Sequence, residues 1–377
     1  MKRRWMAGLP IAIPIAIRLL AAQEAPPPAP PSGKAVVDER DARTARLADE
    51  RKRCEALVKR VDQFGHLDEF AAITRKLLES EQDGLVPVRE GSLHPRALEN
   101  WLAWNVPAGG GWSFPALDGR SDGHPYDAIV ELNRQLRANG TDLLLVLFPT
   151  RAQLYPELFM DLPSMEGFAG FCAATSRFAL ALLDADVEVL CLADEFIAAR
   201  YGEGGDRQDQ LFLQHNQHWT PRAAEMTARL VAERVAKYPW FAPGSAKEGV
   251  DWVVREKDLY VNSVARGETF VAKPELHHVH QVMSLRRQRL DDVRPSSPIV
   301  LMGGSFADFH RVSECDFTAQ LYRFLGWPVA KVDAKSGTQD PYRAALAEIA
   351  PAELKKKKLV IWLLAEQAFC EGPLWKR

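Results

Sequence analysis

From about residue 125 onward, short runs of consecutive apolar residues alternate with segments of helical periodicity. The runs at 142–148 (DLLLVLF) and 359–364 (LVIWLL) are apolar at nearly every position rather than at every second one. A strand of this kind must be covered on both faces, as in a parallel sheet between two helical layers. The pattern therefore predicts a three-layer α/β fold with a mostly parallel sheet. Its strands are predicted at 142–148, 187–192, 298–302, 329–334 and 359–364.

Helical segments are predicted between these strands. The helix at 220–237 opens with Thr220 as its N-cap and Pro221 at its first position, the two residue types favoured there. The helix at 126–138 is followed by an Asn-Gly pair, which accepts the left-handed backbone of a helix end. The remaining elements are helices at 167–184 and 340–349 and a hairpin formed by 252–260 and 268–282.

The first 90 residues have a different pattern. Three basic residues at positions 2–4 precede an apolar run at 5–17, which is too short to cross a bilayer of ~30 Å comfortably. Such a segment is typical of an export signal or, if it is not cleaved, of an N-terminal anchor. The predicted organisation is a signal or anchor at 1–23, a proline-rich linker at 24–34, a helical segment at 35–90 and the main domain at 91–377. The helical segment is expected to pack on the main domain, with packing on a partner as the alternative.

Composition narrows the functional classes. The 377 residues, 47% of them hydrophobic, suffice for one large α/β domain with an appendage or for two small domains. A net charge of −2 without a basic stripe gives no electrostatic basis for binding nucleic acid. The five cysteines include no CxxC pair, which argues against a zinc knuckle. An exported protein can pair some of them, but buried free thiols are the simpler interpretation of Cys172 and Cys191.

A serine follows one of the predicted strands directly. Ser305 comes after the apolar run 298–302 and the pair Gly303-Gly304. The glycines allow a sharp turn that leaves the hydroxyl exposed, and the following backbone N–H groups can face a developing oxyanion. The segment is therefore a candidate nucleophile turn, although a helix N-cap serine explains the same local sequence.

A histidine in a polar stretch is the candidate base for this serine. His218 precedes the capped helix by two residues, so it is not placed in the core by the pattern. A catalytic base needs its second ring nitrogen held by an acceptor, and Asn216 is placed to supply one. His215 is an alternative base, and Asp308 or Asp194 is an alternative acceptor if the fold brings one of them to the ring.

The carboxyl ends of parallel strands meet at one edge of a sheet, where ligands bind. Arg151, Asp194 and Ser305 each follow a predicted strand and should share that edge. The substrate-binding residues are predicted to be Arg151, Gly304 and Trp219. No cofactor is expected.

The segment HHVH raises the question of a metal site. On a strand His278 and His280 point to the same face, a spacing that suits two zinc ligands. A nearby third or fourth ligand is missing from the sequence apart from Glu275. We therefore expect a surface loop or edge strand without a structural metal.

Four segments in order carry a family resemblance. They are DAIVELNRQLRANGTDLLLVLFPTRAQLYPELF, HNQHWTPRAAEM, SPIVLMGGSFADF and KKLVIWLLAEQAF. With them the chain, from Asp127 to Trp375, resembles the SGNH-hydrolase-like domain of the bacterial alginate O-acetylation proteins of the AlgJ and AlgX type. As in that family, the histidine motif precedes the serine motif. The resemblance implies an SGNH-hydrolase-like, flavodoxin-like α/β fold.

The resemblance also implies a function. That family is exported and transfers acetyl groups to a secreted polysaccharide through a Ser-His-Asp triad, with a membrane-bound O-acyltransferase supplying the acetyl group. The nucleophile falls on Ser305, the base on His218 and the triad acid on Asn216, while the family's Gly-Asp-Ser becomes Gly303-Gly304-Ser305. A serine acyl-enzyme at the envelope is expected. A catalytically degenerate polysaccharide-binding or scaffold protein and a secreted carbohydrate esterase are the alternatives.

The N-terminal pattern yields a first prediction, a location in the periplasm or outside the cell, with the N-terminus either cleaved or anchored in the inner membrane. Cells expressing the chain with a C-terminal tag are fractionated, and the tag should be recovered outside the cytoplasm. A full-length protein soluble in the cytoplasm would contradict the prediction.

Overall fold

A computed structural model describes most of the main domain. The described residues are 39–82, 86–89, 92–93, 98–99, 101–102, 125–161, 168–202, 210–214, 216–242, 252–261, 274–284, 296–332, 346–347 and 349–365. The predicted export segment 1–23, the linker 24–34, His215 and most of the predicted helix 340–349 lie outside the described residues.

The elements follow one another in a largely alternating order. The helices are α1 Glu39–Phe64, α2 Leu67–Leu78, α3 Pro125–Ala138, α4 Arg151–Leu154, α5 Ala173–Asp184, α6 Ala193–Tyr201, α7 Pro221–Val235, α8 Ser305–Asp308, α9 Phe317–Leu325 and α10 Pro351–Leu354. The strands are β1 Val86–Pro87, β2 Ser92–Leu93, β3 Asp142–Phe148, β4 Glu188–Cys191, β5 Trp252–Val261, β6 Glu275–Ser284, β7 Ile299–Gly303, β8 Ala330–Val332 and β9 Leu359–Ala365. Short 3₁₀ turns span Pro156–Leu158 and Arg311–Ser313.

A parallel sheet with strand order β4-β3-β9-β7-β8 forms the centre of the domain. Its strands are buried on both faces, because alternate residues of β3 enter separate apolar clusters. Leu144, Val146 and Phe148 belong to one cluster, and Leu143, Leu145 and Leu147 belong to the other. The predicted three-layer α/β fold with a parallel sheet is confirmed.

The predicted elements that the structure describes agree with it except at their ends, apart from β1, which lies inside the predicted helical segment 35–90. The helix expected from residue 167 begins at Ala173, because Gly170 has a left-handed backbone with φ 74° that interrupts a helix. The helix at Pro221 begins as predicted, and the Thr220 hydroxyl accepts a hydrogen bond from the Ala223 N–H at 3.4 Å. The predicted hairpin is present, with β5 and β6 paired antiparallel from Trp252–Ser284 to Val261–Glu275.

Helix α1 packs on the domain, as predicted for the N-terminal segment. Cys54, Leu57 and Val61 join the apolar cluster on one face of the sheet. Other buried positions of α1 are charged. The Arg46 Nε and the Arg234 Nε of α7 donate to the same Glu188 oxygen, at 3.0 Å and 2.9 Å. The helix is therefore held by buried ion pairs as well as by apolar contacts.

Helix α1 also covers the edge of the sheet. The backbone N–H of Cys191 in the outer strand β4 donates to a Glu50 carboxylate oxygen at 2.8 Å. A side chain thus takes the place that a further strand would occupy, which protects the exposed edge. The described cysteines Cys54, Cys172, Cys191 and Cys315 are buried free thiols. None of the described helices is long and apolar enough to cross a membrane.

The buried ion pairs of α1 predict an asymmetric response to substitution. Arg46→Met removes one of the two cations at the fully buried Glu188 and should lower the free energy of unfolding by roughly 2–4 kcal/mol. Arg51→Ala removes an exposed pair with Asp184 and should cost less than about 1 kcal/mol. Urea unfolding of both variants measures the difference, and equal destabilisation would contradict the assignment.

Candidate active site

Ser305 lies where β7 turns into α8. Gly303 is the last residue of the buried strand, Gly304 caps the helix, and Ser305 is the exposed first helical residue. The turn is tight, because a Cβ added at Gly303 would lie 2.8 Å from the Cβ of Ala307. Glycine is therefore required at position 303 by close packing. The turn presents the serine hydroxyl at the carboxyl edge of the sheet.

His218 lies in a narrow turn before α7. The backbone N–H of Leu213 donates to the His218 carbonyl at 3.1 Å, and the Thr220 N–H donates to the Leu211 carbonyl at 2.9 Å. Phe212 and Trp219 form an isolated antiparallel bridge between the same two segments. We call residues 210–220, except the undescribed residue 215, the histidine loop. These backbone hydrogen bonds fix the position of the His218 imidazole.

The serine and the histidine meet, as predicted. The His218 Nε2 lies 2.7 Å from the Ser305 Oγ, within hydrogen-bond distance. On the other side of the ring, the His218 Nδ1 lies 2.5 Å from the Asn216 Oδ1, which also accepts the His218 backbone N–H at 3.0 Å. Since an amide oxygen only accepts, Nδ1 carries the proton and Nε2 is left to accept the Ser305 hydroxyl proton. The order serine, histidine, amide is that of a nucleophile, a base and an orienting group.

Burial determines the protonation state of this histidine. The side chain of His218 is stacked on Phe309, with ring centroids 4.0 Å apart and planes 11° from parallel. Burial, and to a smaller extent the neighbouring His310, lowers the pKa of His218 to about 3. The imidazole is therefore neutral at pH 7, the state in which it can accept a proton.

Neither alternative carboxylate is bound to His218. Asp308 is paired with Lys331 of β8, and Asp194 is paired with Arg60 of α1. The acceptor on the His218 ring is therefore the amide of Asn216, which offers a dipole where a carboxylate would offer a full charge. This is the main electrostatic property of the site.

The other predicted site residues lie around the loop. Arg151 is buried and donates from its guanidinium to the Gln214 carbonyl. Trp219 is fully buried, with its ring 4.7 Å from that of Phe148. Gly304 lies half-buried beside the serine. Arg151 therefore holds the histidine loop at Gln214, the ring of Trp219 anchors the loop in the core, and Gly304 is next to the Ser305 hydroxyl.

Two supporting residues were not predicted. The His310 Nε2 lies 2.8 Å from the Trp219 carbonyl oxygen, a hydrogen bond that links the segment after α8 to the histidine loop. The Tyr155 hydroxyl oxygen accepts the backbone N–H groups of Leu211 and Phe212 at 2.7 Å and 3.2 Å. The sequence around His310 and Tyr155 does not predict these contacts, because the partners of both side chains are backbone groups more than 50 residues away.

The histidines of the HHVH segment are engaged by carboxylates. The His278 Nδ1 lies 2.9 Å from an Asp258 oxygen, and the His280 Nδ1 lies 2.7 Å from a Glu225 oxygen. Within the described part of the chain, no group of three or more His, Cys, Asp or Glu side chains is arranged to hold a metal ion.

Comparisons with known proteins find similarity to the AlgX and AlgJ acetyltransferase domains. A sequence profile of the SGNH hydrolase-like domain of the acetyltransferase AlgX matches residues 120–366. The O-acetyltransferase domain of Pseudomonas putida AlgJ is 16% identical, with a TM-score of 0.50 over 78% of this chain and 94% of that chain. No curated protein sequence matches the chain. At this identity the AlgJ likeness establishes the fold.

Two further solved structures are similar at lower scores. Pseudomonas aeruginosa AlgX is 15% identical, with a TM-score of 0.46 over 74% of this chain and 61% of that chain. Bacillus cereus PatB1, solved with a sulfonyl adduct, is 11% identical, with a TM-score of 0.47 over 79% of this chain and 99% of that chain.

The lowered pKa of His218 predicts the pH dependence of the site. The rate at which a fluorophosphonate labels Ser305 should stay level from pH 8 to 5 and fall only towards the folded pKa of about 3. The unfolded chain, with an ordinary histidine pKa near 6.5, binds the proton more tightly. The stability contributed by neutral His218 is therefore present above pH 6.5 and is lost as the pH falls towards 3.

The measurement uses labelling at each pH with circular dichroism to define the range in which the protein is folded. His218→Gln should reduce labelling at every pH, because no base remains to accept the hydroxyl proton. An inflection near pH 6.5 in the native protein would show that the imidazole is solvated and would contradict the prediction.

Proposed function

The chain belongs to the family of the SGNH hydrolase-like domain of the acetyltransferase AlgX, and from this membership we propose that it transfers acetyl groups to a polysaccharide at the cell envelope. The observation that carries the proposal is the 2.7 Å contact between the Ser305 Oγ and the His218 Nε2. An exposed serine bonded to a neutral, oriented imidazole is the arrangement needed to form an acyl-enzyme.

In the first step the Ser305 oxygen attacks the carbonyl carbon of the acetyl donor. His218 Nε2 takes the hydroxyl proton, and the same proton passes to the leaving group when the bond between donor and acetyl breaks. Ser305 is left as an acetyl ester. The Nδ1–H of His218 stays directed at Asn216 throughout, so the ring keeps one orientation.

The oxyanion of the tetrahedral intermediate needs donors close to Ser305. The backbone N–H groups of Ser305 and Phe306 lie in the first turn of α8, where helical N–H groups have no partner within the helix. They supply donors near the reacting carbon, and loss of one such donor typically costs about 10²–10³ in turnover. This role follows from the turn that Gly303 allows.

In the second step a sugar hydroxyl replaces the donor. His218 Nε2 accepts its proton, the sugar oxygen attacks the acetyl carbon, and the Ser305 oxygen leaves and regains a proton from the imidazolium. The exposed position of Ser305 at the sheet edge is compatible with a long polymer as acceptor. The proposed acetyl source is a membrane-bound O-acyltransferase. The proposed location is the periplasm or the cell exterior.

Asn216 favours a second candidate function. During both steps His218 becomes cationic, and an amide stabilises that charge less than an aspartate does. Loss of the charged partner in a serine triad lowers turnover by roughly 10⁴. A protein that keeps the fold and the contact but not the acid fits a polysaccharide-binding or scaffold role in the same pathway of O-acetylation.

A substitution at this position tests the two candidates. Asn216→Asp should raise the Ser305-dependent release of p-nitrophenol from p-nitrophenyl acetate, because the added charge stabilises the imidazolium by up to roughly 5 kcal/mol. The rates to compare are those of the native protein, Asn216→Asp, and each of them with Ser305→Ala.

A Ser305-dependent gain supports acyl transfer with a weakened triad. Equal rates in all four proteins, independent of Ser305, would favour the binding or scaffold role. The acceptor is then tested by adding an oligosaccharide to the acetylated protein. Acetyl transfer to the sugar supports the proposed reaction, while release of free acetate alone would identify an esterase.

A further inference from the structure

The β5–β6 hairpin touches the histidine loop through one carboxylate. Glu275, the first residue of β6, accepts the backbone N–H of Gln214 at 2.8 Å through its Oε1. Its Oε2 accepts the side-chain amide of Gln210 at 2.7 Å. The two bonds hold the strand of the loop that precedes Asn216 and His218 at both of its ends.

The position of Gln214 is closely linked to that of the imidazole. Gln214 lies two residues before Asn216, and its neighbour Leu213 donates a backbone hydrogen bond to the His218 carbonyl at 3.1 Å. The Gln214 carbonyl is held from the other side by the Arg151 guanidinium. Gln214 is thus held by a carboxylate at its backbone N–H and by a guanidinium at its carbonyl, so both peptide groups that flank it have little freedom to move.

The hairpin is also fixed to the serine half of the site. The Val282 N–H donates to the Glu314 carbonyl at 2.8 Å, and the Gln281 amide donates to the Ser313 carbonyl at 2.9 Å. These acceptors follow α8, which carries Ser305, by a few residues. One rigid antiparallel pair therefore contacts both segments whose relative placement sets the serine–histidine distance.

A carboxylate suits this clamp better than a neutral group. Both neighbours are donors, so each oxygen of Glu275 has a matching partner, and hydrogen bonds to an ionised acceptor are stronger than neutral ones. The side chain is only 9% exposed, and His277 lies 3.6 Å from its Oε2. An exposed carboxylate on the same hairpin, Asp258, bonds His278 and lies on the opposite strand.

We propose that Glu275 is a positioning residue that holds the histidine loop in register with Ser305. The proposal deepens the proposed function and rests on it for the chemistry at Ser305. Glu275 acts through Gln214 and Gln210 and contacts neither reacting group. Because a misplacement of about 1 Å can cost about 100-fold in rate, loss of the clamp should slow the reaction of the serine more than it disturbs the fold.

The test compares Glu275→Ala and Glu275→Gln with Asp258→Asn as the matched control. The readout is the rate constant for labelling of Ser305 by a fluorophosphonate, with urea unfolding as the measure of folding. Glu275→Ala should label about 10- to 100-fold more slowly. Glu275→Gln should stay within about 3-fold, because its oxygen still accepts from Gln214 while a turned Gln210 amide accepts from its nitrogen. Asp258→Asn should be unchanged.

A second readout tests the clamp without relying on reactivity. In protein labelled with ¹⁵N-histidine, the Nδ1–H of His218 should give a protected resonance in the native protein, identified by its absence in His218→Gln. Glu275→Ala should lose this protection, and Glu275→Gln should keep it. Native-like labelling of folded Glu275→Ala, or a native-like resonance in it, would overturn the proposal.

The two readouts test the acyl-enzyme proposal and the role of Glu275 separately. If the native protein is not labelled at Ser305, the acyl-enzyme proposal fails, and the imidazole resonance still decides whether Glu275 positions the loop. If the native protein is labelled and Glu275→Ala reacts equally fast, the acyl-enzyme proposal stands and the role of Glu275 is refuted.

Discussion

The hydrogen bond between Ser305 and His218 joins segments 87 residues apart, and much of the surrounding structure serves to make it. The parallel sheet places the end of β7 at one edge, and the close approach of Gly303 to Ala307 turns the chain there into α8. The histidine loop is held to the domain by Tyr155 and His310. A contact of 2.7 Å between such distant residues requires that many supports be rigid at once.

The electrostatics of the pair are unusual because the acceptor that orients the His218 ring is a neutral amide. Asn216 fixes the tautomer of His218, while burial lowers its pKa to about 3. The neutral imidazole suits the base of the proposed acyl transfer at any physiological pH, but the imidazolium that this reaction would require is poorly stabilised. The geometry of the site thus favours proton transfer from Ser305 to His218, whereas the neutral acceptor at Asn216 predicts a slow reaction.

In contrast to the neutral acceptor at His218, the N-terminal helix α1 is held by buried ion pairs. Arg46, Glu188 and Arg234 form a buried cluster that joins α1, β4 and α7, and Glu50 caps the backbone of the outer strand. Charged groups taken out of water stabilise only when their partners are well placed. The cluster therefore demands one placement of α1, whereas the apolar contacts of Leu57 and Val61 would tolerate several.

The sequence by itself determined the local elements. The apolar runs at 142–148 and 359–364 became strands, and Thr220-Pro221 opened a helix, because period and capping act over a few residues. The pairing of Ser305, His218 and Asn216 was also predicted, from a serine directly after a strand, a histidine just before a capped helix and an asparagine two residues before that histidine. Only the tertiary structure decided which cations hold Asp308 and Asp194, and that Glu275 reaches a backbone group 61 residues away. Those contacts depend on distances across the folded chain, which no local pattern of residues encodes.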